Sequence, residues 1–345
     1  MKKIFLIGLT AAAMMASCSN DETVEMAQQK AIGFSNAFVN NGTRSVHDPS
    51  FTTLTLKDFA VYGFTQSGQI FNGEKVSKGG TASTGWSYDN VQYWVPGNTY
   101  TFGAIAPHSV AAKVSDVTLP ESATKVEMKV AFTNTDAKQV DLLHAAPEQI
   151  TGVTASYTTP VSMTFNHQLS KVKFSFQNSV GVGYNVKVSN VKITDAFKEG
   201  TLTVAATGNT WGGQTNKTLE LNFGNVVADS SSTEASFIAN AATLESHNEK
   251  LMIPMGSSAI YTVTFTAELY KGNVLLGIYP HTVEIKNVEF KLGYCYNFKA
   301  SLTHENITGP DKLNEIKFNV TSVGNWNKEK EADKNLNVPT THSGI

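Results

Sequence analysis

Residues whose types suggest chemistry are scattered thinly along this chain, and their spacing defeats most of what they suggest. His281 and Glu284 form an HxxE pair, which on a helix would offer a metal two ligands from one face. In the strand-like run "YPHTVEIK" they project to opposite faces, so no metal site is expected there. "GQIFNGEKV" (68–76) imitates a phosphate loop, but Glu74 stands in place of the lysine, so it reads as a hairpin turn. No HExxH, EF-hand, GxSxG or CxxC pattern occurs. His144 and His167, each beside apolar strand residues, read as hydrogen-bonded structural histidines. The cluster Trp86, Tyr88, Tyr93, Trp94 and Tyr100 could form a sugar platform. The simpler packing turns Tyr93 inward and leaves Trp94 at a strand end, capped by the Pro96-Gly97 turn. No catalytic residue, cofactor or metal is expected, and the chain reads as a non-enzyme.

Two positions suggest covalent processing instead. Lys2 and Lys3 precede the apolar run Ile4 to Met15, which is too short to span a bilayer and reads as a secretory signal. The run ends in Met15-Ala16-Ser17-Cys18, which resembles the bacterial lipobox cut just before a diacylated cysteine. Residues 1–17 are thus a lipoprotein signal peptide, Cys18 the lipidation site, and "SNDETVEMAQQK" a polar tether to the outer membrane. Cys295 is then the one thiol left, so no intramolecular disulfide can form; its strand setting predicts a buried, inert side chain. The second position is Arg44, in "AIGFSNAFVNNGTRSVHD" (31–48). It is the single arginine among 27 Lys and Arg, and it sits in a loop-like stretch of Asn, Gly, Thr and Ser. A protease that accepts arginine and refuses lysine would find one address there.

The elements that must hold these positions are strands. At 345 residues the chain suits two domains, and a net charge of −2 without a basic face argues against nucleic acid. Period-two alternation dominates after residue 30. "YTVTFTAELY" puts Tyr261, Val263, Phe265, Ala267 and Leu269 on one face, and "KVKFSF" and "EIKFNV" repeat the pattern with Val172, Phe174, Phe176 and with Ile316, Phe318, Val320. No long stretch has helical spacing, so an antiparallel all-β chain is expected. The polar segment "EQITGVTASYTTPVS" places the division near residue 160, within about ten residues, giving domains at 45–160 and 161–326. Residues 327–345 form a C-terminal tail that opens on a charge run.

Several short segments carry a family resemblance. "VQYWVPGNTYTFGAIAP", "DLLHA", "MTFNHQLSKVKFSF", "EGTLTV", "LMIPM" and "FNVTSVGNW" follow one another from about residue 90 to Trp326. In that order they resemble the fimbrillin family, subunits of type V pili of Gram-negative anaerobes. The resemblance implies two tandem transthyretin-like β-sandwich domains and an outer-membrane lipoprotein precursor that becomes a cell-surface fimbrium. It implies that residues 18–44 hold a tether and a removable N-terminal strand, which fills a groove until an arginine-specific or trypsin-like protease cuts between Arg44 and Ser45. Ile32, Phe34 and Phe38 would enter that groove. A donor strand from another copy or a related subunit would then take its place. The donor is expected in the C-terminal region, in "EIKFNVTSV" or in "LNVPTTHSGI", where Pro339 removes a ladder donor. Expected partners are therefore other subunits, the maturation protease and, through lipid, the outer membrane. The alternative is a monomeric outer-membrane lipoprotein that binds glycan or host protein.

Overall fold

The computed structural model describes residues 30–39, 56–79, 85–256, 258–309 and 315–325. Cys18, Arg44, Ser45 and the tail 327–345 lie outside the described residues.

The chain is all-β, as its alternation predicts. A seven-stranded sheet runs in the order β1 (Phe34–Val39), β9 (Val161–His167), β8 (Leu143–Ala145), β5 (Thr101–Ala106), β2 (Asp58–Thr65), β3 (Gly68–Lys78) and β4 (Trp86–Ser87). A four-stranded sheet orders β13 (Thr210–Thr215), β12 (Glu199–Val204), β7 (Glu127–Thr133) and β6 (Val114–Thr118). The second sandwich faces β15 (Val226–Val227), β16 (Thr243–Ser246), β10 (Ser170–Asn178), β20 (Tyr294–Leu302) and β21 (Phe318–Asn325) against β14 (Leu219–Gly224), β11 (Tyr184–Ala196), β18 (Tyr261–Lys271) and β19 (Val274–Ile285). Strand β17 (Lys250–Met252) also pairs with β10. A short α-helix, α1 (His304–Thr308), starts from the N-cap Thr303, whose side chain accepts from the Asn306 amide.

The first sheet is rolled. Phe34 on β1 and Phe71 on β3 are five strand spacings apart in sheet order, about 24 Å on a flat sheet. Their ring centroids are 5.8 Å apart. The two ends therefore curl around a shared core of Phe34, Phe59, Phe71, Phe102, Met163 and Phe165. The opposite faces of β2 and β5 present Ala60, Tyr62 and Ile105 to a second core, shared with Met128, Val130, Leu202 and Ile253. Both faces of these strands are buried.

Pairing crosses the polar segment near residue 160. Strand β9 lies between β8 and β1, and the β12–β13 hairpin pairs through β12 with β7. Leu202 and Val204 supply the reason, since their inward faces fill the second core. Two ladders, β1–β9 and β10–β20, are parallel rather than antiparallel. Residues 68–76 belong entirely to β3 rather than to a turn, and the tight turn is Gln66-Ser67 just before it. Cys295 is half-buried against the second core rather than fully enclosed.

Candidate functional site

The segment Lys30–Val39 lies in a channel of the rolled seven-stranded sheet. Its sequence sets the contact, because Ile32 and Phe34 stand two residues apart and so share one face. Both are 1% exposed. Phe34 meets Phe59, Phe71, Tyr88 and Phe102 at centroid distances of 5.5 to 6.1 Å, mostly edge to face. Burying each of these two side chains contributes about 1.5–3 kcal/mol before ordering costs.

The backbone is gripped from both sides. Toward β9 the register pairs Phe34 with Val161 and Ser35 with Ser162, and the Val161 amide donates to the Gly33 carbonyl at 2.8 Å. One extra residue then intervenes before Phe38 faces Thr164, so a bulge interrupts the ladder. On the other side the Ile32 amide donates to the Gln92 carbonyl at 2.8 Å and the Trp94 amide to the Lys30 carbonyl at 2.9 Å. The Tyr88 hydroxyl donates to the Ile32 carbonyl at 2.6 Å. Burial pushes the Tyr88 phenol above its ordinary value, so it remains protonated and a donor.

Loss of this segment would uncover the rings of Phe59, Phe71 and Phe102 and free the Val161 and Trp94 amides. That leaves an apolar channel with a backbone edge on each side, a template for another strand. The structure thus brings Ile32 and Phe34 together as anchors; Phe38 is placed opposite Thr164 by register, and Arg44 follows Val39 by five residues in sequence. The grip from Tyr88 and Gln92–Trp94 had no sequence signal, because these residues lie outside any regular alternating run. Tyr93, expected inward, is instead turned out to solvent, and the side chain buried at this place is Trp94, just before the Pro96-Gly97 turn. Trp94 is 2% exposed against Tyr100 and Tyr157, whereas Tyr93 is 47% exposed where its backbone bridges to Ala31.

The "EIKFNVTSV" candidate donor overlaps β21, paired antiparallel with β20, with Ile316 and Val320 buried in the core of the second sandwich. His281 stacks on Phe265 with centroids 5.1 Å apart, and His167 Nδ1 lies 2.8 Å from Asp141. Among the described residues no group of three His, Cys, Asp or Glu is placed to hold a metal, and no helix is long and apolar enough to cross a membrane.

A family model described as fimbrillin-like matches residues 17–326. Among solved structures, a fimbrial protein from Bacteroides vulgatus aligns at 15% identity with a TM-score of 0.58, over 86% of this chain and 99% of that one. A candidate cell adhesion protein from Bacteroides ovatus aligns at 16% identity and a TM-score of 0.48, covering 88% and 99%. The fimbrial anchor protein Mfa2 from Porphyromonas gingivalis aligns at 12% identity and a TM-score of 0.36, covering 86% and 98%. A comparison with the curated proteins found no match. At 15% identity the likeness to the B. vulgatus protein is one of fold.

Proposed function

The chain belongs to the fimbrillin-like family, and from that premise we propose that it is a structural subunit of a surface fimbria, with no catalytic role. In this reading it is exported as a lipoprotein acylated at Cys18, cut after Arg44, and joined to its neighbours by β-strand exchange. The observation that carries the reading is the docking of Ile32 and Phe34 in an apolar channel between two backbone edges, a few residues before the single arginine. Removal of the segment makes the channel available to a strand of another copy. Lysine elsewhere leaves the folded subunit intact to an arginine-specific enzyme.

The test compares gel migration and N-terminal sequence for wild type, Arg44→Ala and Arg44→Lys. Wild type should form a ladder of oligomers that begin at Ser45. Arg44→Ala should fold, reach the surface and stay monomeric, because the channel is still occupied. Arg44→Lys should stay uncut if the protease is arginine-specific and be cut if it is trypsin-like. Identical polymers with the same new N-terminus from Arg44→Ala would defeat the mechanism. Cys18→Ala should abolish incorporation of labelled fatty acid.

A further inference from the structure

Exposed apolar side chains are gathered on this protein rather than scattered. Among the described residues ten large ones are 41–90% exposed, and all but Ile260 fall in two places. The first is the run 91–95. Val91, Tyr93 and Val95 occupy alternate positions and so share its outer face, while between them the Gln92 carbonyl and the Trp94 amide hold the N-terminal segment. These three form a rim along the strand channel.

The second place is one end of the second sandwich. After the Gly272-Asn273 turn that joins β18 to β19, Val274, Leu275 and Leu276 are all exposed, because the alternation that buries one face of β19 begins only at Gly277. Beside them is the loop 180–183, where Val182 is 90% exposed between two glycines of positive φ. The Gly272 amide donates to the Gly183 carbonyl at 2.9 Å, which ties the two tips together. Ile278 and Phe237 extend the patch, Phe237 through an edge contact with Tyr270, the register partner of Leu275.

The charges beside the two patches are opposite. At the rim stand the exposed Asp89 and Glu74, whose carboxylate accepts from the Asp89 and Asn90 amides. Lys30, a cation on that side, belongs to the segment that is removed. At the sandwich end Lys271 lies 5.9 Å from the Tyr184 ring and Lys187 4.6 Å from the Phe237 ring, while Glu268 is held by the Tyr270 hydroxyl at 2.6 Å.

Contiguous exposed apolar surface marks a contact. A filament that grows by strand exchange shows a different face to each neighbour, so its contacts are heterologous. The rim borders the channel, so a copy whose strand fills the channel stands beside it. The end of the second sandwich is the other apolar cluster on the described surface, and its lysines complement Asp89 and Glu74. We propose that the sandwich end of one copy, through Val182, Val274, Leu275 and Lys271, seats on the rim of the next, as a second contact alongside the exchanged strand. This rests on the strand-exchange reading above.

The test cuts the purified full chain with an arginine-specific protease and finds, by sedimentation, the urea concentration at which polymers fall to single subunits. Tyr93→Ser and Leu275→Ser should each lower it, and together by less than the sum, since both remove one contact. Asp89→Lys and Lys271→Glu should each lower it too, and the chain carrying both should recover, because every junction then has its charges exchanged. All four side chains are exposed, so uncut variants should unfold at the wild-type midpoint, which separates a weak junction from a weak fold. Polymers of Tyr93→Ser or Leu275→Ser as resistant as wild type, additive losses, or no recovery on charge exchange would overturn this contact and leave strand exchange standing. Wild type that forms no polymer after the cut would overturn both.

Discussion

Truncation of Phe34 offers the sharpest probe of the N-terminal strand. The side chain is 1% exposed and meets four rings. Removing such a phenylalanine costs about 3–5 kcal/mol, the lost transfer free energy plus the cavity left behind. At about 1.4 kcal/mol per tenfold, Phe34→Ala should raise the population with Lys30–Val39 undocked by roughly two to three and a half powers of ten. Hydrogen exchange reads this at two amides outside the strand, Val161, which donates to Gly33, and Trp94, which donates to Lys30. Both should exchange faster by that factor. Val263, in the ladders of the second sandwich, should change little. Unchanged exchange at Val161 and Trp94 would show that Phe34 is no anchor. Equal acceleration at Val263 would show that the strand and the sandwiches open as one unit, so that the segment cannot leave a folded protein.

Two further outcomes concern the cores. His144, which burial and then the nearby Lys125 charge hold at about 4 when folded against 6.5 as a free group, binds a proton in the unfolded chain before it does in the folded one. Stability should therefore fall as pH drops through that window, by at most about 3 kcal/mol from this group. Urea midpoints at pH 7 and pH 4.5 for wild type and for His144→Asn check it, and an equal drop in both proteins would refute the assignment. Phe265, 2% exposed between Phe176 and His281, should lose about 3–5 kcal/mol on truncation to alanine. A denaturation midpoint that does not move would contradict its buried face.

Faces were legible where a residue sits in a regular ladder. Tyr261 to Leu269 alternate inward along β18 as their sequence says, since a period of two has one solution once one face is apolar. Inward placement failed for Tyr93, which lies outside an extended strand; the buried ring is its neighbour Trp94, packed on Tyr157, 63 positions away in sequence. Strand direction was not legible at all. Parallel and antiparallel neighbours bury alternate residues alike, so nothing in "AIGFSNAFV" marks β1 as parallel to β9. Composition located a polar segment near residue 160 but could not say that Leu202 would complete a core on the other side of it. The bond between Asn209 and His144 spans 65 residues and joins two polar side chains, a pairing without a periodic signature.

The docked strand also states what a replacement must supply. It needs two large apolar side chains two residues apart, at the places of Ile32 and Phe34, and a backbone N–H at residue 35, which the parallel register turns toward the Val161 carbonyl. Strand β21 is a poor source, since its ladder with β20 and the buried Ile316 and Val320 beside it are committed to the second sandwich. A parallel donor drawn from "LNVPTTHSGI" meets a conflict. Setting Leu336 and Val338 in the two apolar places puts Pro339, which has no N–H, at position 35. Moving the donor two residues restores that N–H but sets Thr340 where Phe34 fills the aromatic pocket. If this tail is the donor, Pro339→Ala should therefore tighten the polymer by supplying the missing bond, about 0.5–1.5 kcal/mol per junction. Polymers of Pro339→Ala that come apart at the same urea concentration as wild type would place the donor elsewhere or reverse its direction in the channel.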